Sequence, residues 1–402
     1  MTFNKTDIIK YTDILILIFL SFHAIGSQYS VALSSTGLAG LIILASFRLS
    51  LDRNIYKPDK KLIYVFLLLI IAQVIASIFS VDPLDSFYQS KRVFLYSGFF
   101  AVIIFIQNLK QLENILKVFF VFTALLSVYE LIRYFIEYSQ ETEVPLSELR
   151  IEFYGYPITN GEIKMLVLLL MITLMLTKDK FVFNKLWLVI LSIPVLLSLY
   201  FTNSRNAMIG LFSGIVFIGF TKNKYFLIGV IIFIILFLLF APLPIKERVL
   251  SITDFSLPST QARFLTWETG LKIFKDYPIT GIGDTDVLKM YRNYKLPEYE
   301  GEGSHMHNNF LQILITLGII GFLAWCIMMV YVIIRMIQIY SLTKGDTILN
   351  SLAIASITSM IAFQISGLTE YNFSDFEFAA VMWFMFGLAF LAEKLYIKKE
   401  SL

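Results

Sequence analysis

Cysteine is nearly missing: the 402 residues contain one, Cys326, inside an apolar run. That excludes an intrachain disulfide and any metal site built on cysteine. Charge is also scarce, at 16% of residues with a net of +3, and no Lys/Arg block has the density of a nucleic-acid patch. Only three histidines occur, so few imidazoles are available for proton transfer.

Hydrocarbon fills the space that charge leaves. The chain is 57% hydrophobic, with 38 Phe and 13 Met spread through Leu/Ile/Val runs, too apolar for a soluble domain of this length. Many runs approach the roughly 20 residues needed to cross a hydrocarbon core about 30 Å thick. In lipid each run must satisfy its own backbone groups, which makes every one a helix. The expected fold class is therefore all-α, a polytopic membrane protein of about twelve transmembrane helices. Spans are expected at 12–30, 31–47, 62–80, 93–107, 112–136, 162–177, 182–202, 206–221, 224–243, 309–336, 348–368 and 376–396. Lys5, Asp7, Lys10 and Asp13 precede an apolar stretch with no small-residue cleavage site, which reads as a retained first helix.

The connections separate by charge. Those after even-numbered spans carry Arg48, Arg53, Lys57, Lys60 and Lys61; Lys110; Lys178, Lys180 and Lys185; Lys222 and Lys224; Arg335 and Lys344; and the tail carries Lys398 and Lys399. Those after odd-numbered spans are poorer in basic residues and often acidic: Asp82 and Asp85; Glu141, Glu143, Glu148 and Glu152; Glu370 and Asp375. The positive-inside rule assigns the first set, and both termini, to the cytoplasm.

On this topology the longest polar stretch, 245–308, faces outward between a block of nine helices (1–244) and a block of three (309–402). Its middle, Thr260 to Asp276, reads as an amphipathic helix with Phe264, Leu265, Leu271, Ile273 and Phe274 on its apolar positions, ended by Pro278, Gly281 and Gly283. A second outer loop, Tyr138 to Gly161, is the other candidate lid. No internal repeat is evident.

Chemistry concentrates on the outer face. Ser304-His305-Met306-His307-Asn308-Asn309 meets the tenth span, where an imidazole can reach water and accept a proton; a plain Asn helix cap is the bland alternative. A metal on His305 and His307 with Glu300 or Glu302 is disfavoured, because residues two apart rarely serve one ion without further spaced ligands. Arg205, in the short turn Thr202-Asn203-Ser204-Arg205-Asn206, is an external guanidinium that works against the orientation rule, so it is a functional candidate, with interfacial snorkelling as the alternative. Arg263 stands four residues before Trp267, so both share a face, and its planar fork suits phosphate oxygens. Lys246, Arg248, Arg292 and Lys295 sit in the same loop, whose eight Lys/Arg against nine Asp/Glu make most of its charges solvated surface. Glu370, Asn372 and Asp375 read first as a solvated acidic turn and second as groups that orient His307 or an acceptor.

The run His307-Asn308, nine residues, then Gly318-Ile319-Ile320-Gly321 resembles the His-Asn and Gly-x-x-Gly signature of the bacterial O-antigen ligase family. Arg263 with Trp267, the stretch Phe274-Lys275-Asp276-Tyr277-Pro278-Ile279-Thr280-Gly281-Ile282-Gly283 and the turn Ser204-Arg205 are similar to its other motifs. The resemblance implies a GT-C-like membrane fold with a helical periplasmic loop domain in the bacterial inner membrane. It further implies transfer of a glycan from undecaprenyl pyrophosphate to a hydroxyl of lipid A core oligosaccharide, with inversion and with neither metal nor other cofactor. His307 would be general base, Arg205 and Arg263 would clamp the pyrophosphate, and Asn308, His305 and Trp267 would help bind substrate. His305 is an additional histidine that the pattern does not require, so which ring acts stays open, with the spacing to Gly318 and Gly321 favouring His307. O-antigen or capsular polysaccharide polymerases and protein O-oligosaccharyltransferases share this half of the pattern. A lipid-glycan transporter is the reading from another class; Gly318 and Gly321 need only let helices approach closely.

Overall fold

The computed structural model describes residues 4–53, 55–140, 150–151, 156–240, 256–296 and 305–401. Glu141, Glu143, Glu148, Glu152, Lys246, Arg248, Glu300 and Glu302, together with much of the second candidate lid, lie outside the described residues. Among those described there is no β-strand, and the chain is helical almost throughout.

In order come α1 (Lys5–Gly26), α2 (Val31–Leu51), α3 (Lys60–Ile78), α4 (Pro83–Gln89), a 3-10 segment (Ser90–Leu95) and α5 (Tyr96–Phe105). Then follow α6 (Leu109–Gln140), α7 (Pro157–Met175), α8 (Lys185–Phe201), α9 (Arg205–Lys222) and α10 (Lys224–Phe240). The large loop contributes α11 (Pro258–Asp276) and α12 (Val287–Tyr294), and the chain ends with α13 (Asn309–Leu342), α14 (Thr347–Ser366) and α15 (Phe376–Glu400). Each expected span contains a helix. Eight of these (α1, α2, α3, α6, α7, α13, α14 and α15) are long and apolar enough to cross a membrane, which makes the protein multi-pass. The other four, α5, α8, α9 and α10, have 10, 17, 18 and 17 residues.

The helices sort by depth. α15 lies at the centre and is sheathed almost completely by α7, α14 and the others, whereas α1 and α2 bury one narrow stripe and turn Ile14, Phe22 and Ile43 outward. Burial in protein rather than water does not separate these faces by polarity, because lipid is as apolar as leucine. Small residues decide who packs closely. A Cβ on Gly210 would sit 2.3 Å from the Met165 sulfur, and one on Gly214 would sit 2.4 Å from Leu169, so this pair lets α9 press onto α7.

Charge inside the bundle is paired. Lys164 of α7 lies 2.9 Å from Glu130 of α6, and both are buried. The same carboxylate accepts from Asn160 at 2.8 Å and from Ser198 of α8 at 2.7 Å, so one anion ties three helices. Such a group is tolerated in a membrane only with partners of this kind.

α13 is broken, and the break joins loop to bundle. Gly318 has φ +62°, and a Cβ there would lie 2.2 Å from the carbonyl oxygen of Ile279. The loop segment after α11 runs into the gap: Ile319 N–H donates to Pro278 O at 2.9 Å, Ile282 N–H to Ile315 O at 2.9 Å and Gly283 N–H to Thr316 O at 2.9 Å. Gly318 thus admits loop backbone rather than a neighbouring helix, a different reason from the one expected. Beneath the loop, Ile273, Ile282, Val287, Tyr291, Met306 and Ile315 form a second small core. The amphipathic helix expected from Thr260 to Asp276 is α11, but Phe264 and Leu271 stay exposed while Ile273 is buried.

Candidate functional site

Four connections meet at one end of the bundle around a cavity of about 600 Å³. Gln89 and Arg92 line it from the α4 region, Ile158, Thr159 and Glu162 from the start of α7, and Asp284 to Val287 from the large loop. His305, His307 and Gln312 line it from the start of α13, and Glu370, Tyr371, Ser374 and Asp375 from the turn before α15. All four follow odd-numbered spans, the set that the charge count placed on one face.

Glu370 organises the centre. It is buried, and its carboxylate accepts from His305 Nε2 at 2.8 Å and from His307 Nδ1 at 3.0 and 3.1 Å. Arg263 Nη2 lies 3.8 Å from the other side of the same carboxylate. Burial alone would raise the Glu370 pKa, but the two imidazole hydrogen bonds outweigh it and hold the carboxyl well below its usual range. An ionised carboxylate only accepts, so Nδ1 of His307 carries the proton and neutral His307 keeps its lone pair on Nε2. The same logic leaves Nδ1 as the lone-pair nitrogen of His305. The two rings sit 4.1 Å apart, centroid to centroid.

The backbone that presents the histidines is clamped from both sides. Trp267 Nε1–H donates to Met306 O at 2.8 Å, and Met306 N–H donates to Gln312 Oε1 at 2.8 Å. His307 itself has φ +45°, a left-handed conformation that costs a non-glycine residue energy and that surrounding contacts must enforce. Asn308 then caps α13, accepting from Leu311 N–H at 3.0 Å, while its amide donates to Leu368 O at 2.9 Å. Asn309 completes the clip: its N–H donates to Gly367 O at 2.8 Å, and its side-chain oxygen accepts from the N–H groups of Asn372 and Phe373 at 3.0 and 3.1 Å.

The sequence-selected residues distribute unevenly. His305, His307 and Arg263 converge on Glu370, whereas Trp267 and Asn308 spend their polar atoms on the backbone around them. Arg205 is half-buried at the first position of α9 and does not line the cavity. Its turn nonetheless packs on the cavity wall: Ser204 Oγ–H donates to Pro157 O at 3.0 Å, and the amide of Asn206 donates to Glu162 Oε1 at 2.6 Å. Asn372 donates to the same Glu162 oxygen at 2.6 Å.

The solvated acidic turn is corrected here. Glu370 and Asn372 are buried, because two imidazoles and the Asn309 clip satisfy them. Burial also raises the pKa of Asp375, although Thr159 donates to it. Glu162 and Arg92 were missed: Glu162 falls at the first position of an expected span, and nothing near Arg92 forms a motif. His305, His307 and Glu370 hold one potential ligand atom each within 4.8 Å of one another, so they could hold a cation. In the observed geometry the same atoms are engaged in hydrogen bonds, which fits a proton-transfer set equally well.

Residues 186–326 match the family model described as O-Antigen ligase. No curated protein matches the chain. The matched stretch contains Arg205, Arg263, Trp267 and His305 to Asn308, while Arg92, Glu162 and Glu370 lie outside it.

Proposed function

We propose that this chain is a glycosyltransferase of the O-antigen ligase type, joining a glycan carried on undecaprenyl pyrophosphate to a hydroxyl of lipid A core oligosaccharide, a reading supported by the match of residues 186–326 to the O-Antigen ligase family model. The site faces the periplasm, and both termini are cytoplasmic. The observation that carries the reading is the Glu370–His307 pair, an imidazole oriented by a buried carboxylate at the wall of a cavity large enough for sugar rings.

In the reaction, the acceptor oxygen attacks the anomeric carbon of the donor as its proton passes to Nε2 of His307. The bond from that carbon to the pyrophosphate oxygen breaks, and its electron pair leaves with the lipid pyrophosphate, so the anomeric configuration inverts. Glu370 stabilises the imidazolium that forms. A pyrophosphate leaves without protonation if cations meet its charge, which is the role of Arg205 and Arg263. Support for Arg205 comes from its place at the start of α9, where Ser204 makes no side-chain cap and the helix dipole adds positive potential. His305 shares the carboxylate and keeps it ionised; Trp267 and Asn308 hold the loop in register.

The test is transfer in vitro from undecaprenyl-pyrophosphate glycan by full-length protein, offered rough core lipopolysaccharide and a glycan acceptor in parallel. Transfer to the core is expected; transfer only to the glycan makes the protein a polymerase. His307→Ala should lower turnover by roughly 10²–10⁴-fold with unchanged abundance. Arg205→Ala and Arg263→Ala should each cost on the order of 10²-fold or more, with Lys a poor replacement at either position. Activity should survive chelation, and a loss restored by added divalent ion would instead place a cation on His305, His307 and Glu370.

A further inference from the structure

The first outer turn and the large loop are fastened together beside the cavity. Val81 N–H and Ser80 Oγ–H both donate to Ile282 O, at 3.1 and 2.7 Å. Thr285 Oγ1–H and Asp286 N–H both donate to Asp85 Oδ2, at 2.7 and 2.9 Å. These contacts hold the two segments without help from Arg92. Arg92, on the 3-10 segment, adds one ion pair: its Nη1 lies 3.2 Å from Asp284 Oδ1.

The pair is lopsided. The Asp284 side chain is 9% exposed and also accepts from Gln73 at 3.4 Å, whereas that of Arg92 is 32% exposed on the cavity wall. Among the described residues lining the cavity, Arg92 is the only Lys or Arg, facing the carboxyl groups of Glu162, Asp284, Asp286, Glu370 and Asp375. One N–H of its fork is used on Asp284, which leaves the rest for another anion. Burial works against the charged form of Arg92, but Asp284, Tyr371, Asp375 and Asp85 together outweigh it and raise the pKa, so the group stays charged.

We propose that Arg92 is a substrate-contacting residue, a third guanidinium that meets the donor's pyrophosphate inside the cavity, with only one N–H of its fork engaged by Asp284. The proposal rests on the glycan-transfer reading above. A leaving group carrying several negative charges could not settle among five carboxyl groups without a cation on the lining itself; Arg92 supplies it there, in addition to Arg263 beside Glu370 and Arg205 off the lining.

The test is binding to full-length protein in nanodiscs, using undecaprenyl pyrophosphate, undecaprenol and inorganic pyrophosphate as competitor. Wild type should prefer the pyrophosphate to the alcohol, and inorganic pyrophosphate should compete. Arg92→Ala should weaken undecaprenyl pyrophosphate binding by roughly 10-fold or more, leave undecaprenol unchanged and lose the competition; Arg92→Lys should recover little of it. Asp284→Asn should bind at least as well as wild type, because the fork is released. Unchanged binding by Arg92→Ala, or an equal loss in Asp284→Asn, would make the pair a latch and overturn the proposal. If Arg92→Ala does not fold, Arg92→Lys decides, wild-type affinity counting against the fork. A wild type with no preference for pyrophosphate over alcohol would sink the transfer reading itself, and Arg92 with it.

Discussion

Glu370 accepts from two imidazoles at once and faces Arg263, so its charge is the electrostatic hub of the site. Glu370→Gln keeps the shape and removes the charge. The amide cannot stabilise an imidazolium, and it can equally donate to Nδ1, which would place the proton on the wrong nitrogen. Turnover should fall on the order of 10²-fold or more with little change in KM for the donor; a pure KM effect would make Glu370 a binding group instead. A second consequence is thermodynamic. Because the folded carboxyl titrates well below an ordinary Glu, near 4.3 when unfolded, its stabilising contribution is complete above that value and fades as pH falls from there. Thermal melts taken from pH 7 down to pH 3 should drop more steeply for wild type than for Glu370→Gln; parallel curves would contradict this. Glu370 was hard to read for a physical reason. A Glu in a short turn with Asn372 and Asp375 has the composition of solvated surface, and only the approach of His305 and His307, more than sixty residues earlier in the chain, makes burial tolerable. The histidines were legible because few imidazoles exist and these two abut an apolar helix.

Two elements convert the bundle into a site: the break in α13 and the Asn309 clip. At Gly318 any side chain meets two obstacles, a positive φ and the Ile279 carbonyl 2.2 Å from its Cβ. Gly318→Ala should therefore destabilise the protein by about 2 kcal/mol or more, read as a lowered melting temperature in detergent, and should free the loop segment that carries Asp284. Gly321→Ala probes a different contact, with Leu317 of its own helix, and should cost less. Equal losses at the two positions would show that the break is not what the glycines serve. Asn309 tests the clip. Replacing it with Ala leaves the side-chain oxygen of Asn372 and the N–H groups of residues 372 and 373 without these partners in a buried setting, each worth about 1–3 kcal/mol, and lets Glu370 drift. Turnover should fall with stability; intact turnover would mean that Glu370 is positioned by the histidines alone. The amphipathic α11 was legible from its periodicity, yet which stripe it buries was not, because its partner surface is loop backbone threaded through a broken helix rather than a flat apolar face.

For the molecule as a whole, the helical stretches were legible because lipid requires a long apolar run for every crossing. What stayed hidden was the convergence of four connections far apart in sequence, illustrated by Arg92 and Asp284, since helix order in the bundle depends on packing that small residues such as Gly210 and Gly214 decide. The charge bias of the connections makes a further prediction about sidedness. Even after its break at Gly318, α13 runs on from Ile319 to Leu342, about 36 Å at roughly 1.5 Å per residue, more than a hydrocarbon core of about 30 Å. Its start carries the histidines and its end leads to Lys344, so these must lie on opposite faces of the membrane. The lone cysteine allows a clean assay. In a Cys326→Ala background, single cysteines replace exposed Asp286, at the cavity, or exposed Lys344, at the far end. An impermeant maleimide added to intact spheroplasts should label position 286 and reach position 344 only after permeabilisation. The reverse pattern would turn the cavity toward the cytoplasm, where no glycan already moved across the membrane could meet His307, and the transfer reading would fail however well the geometry suits it.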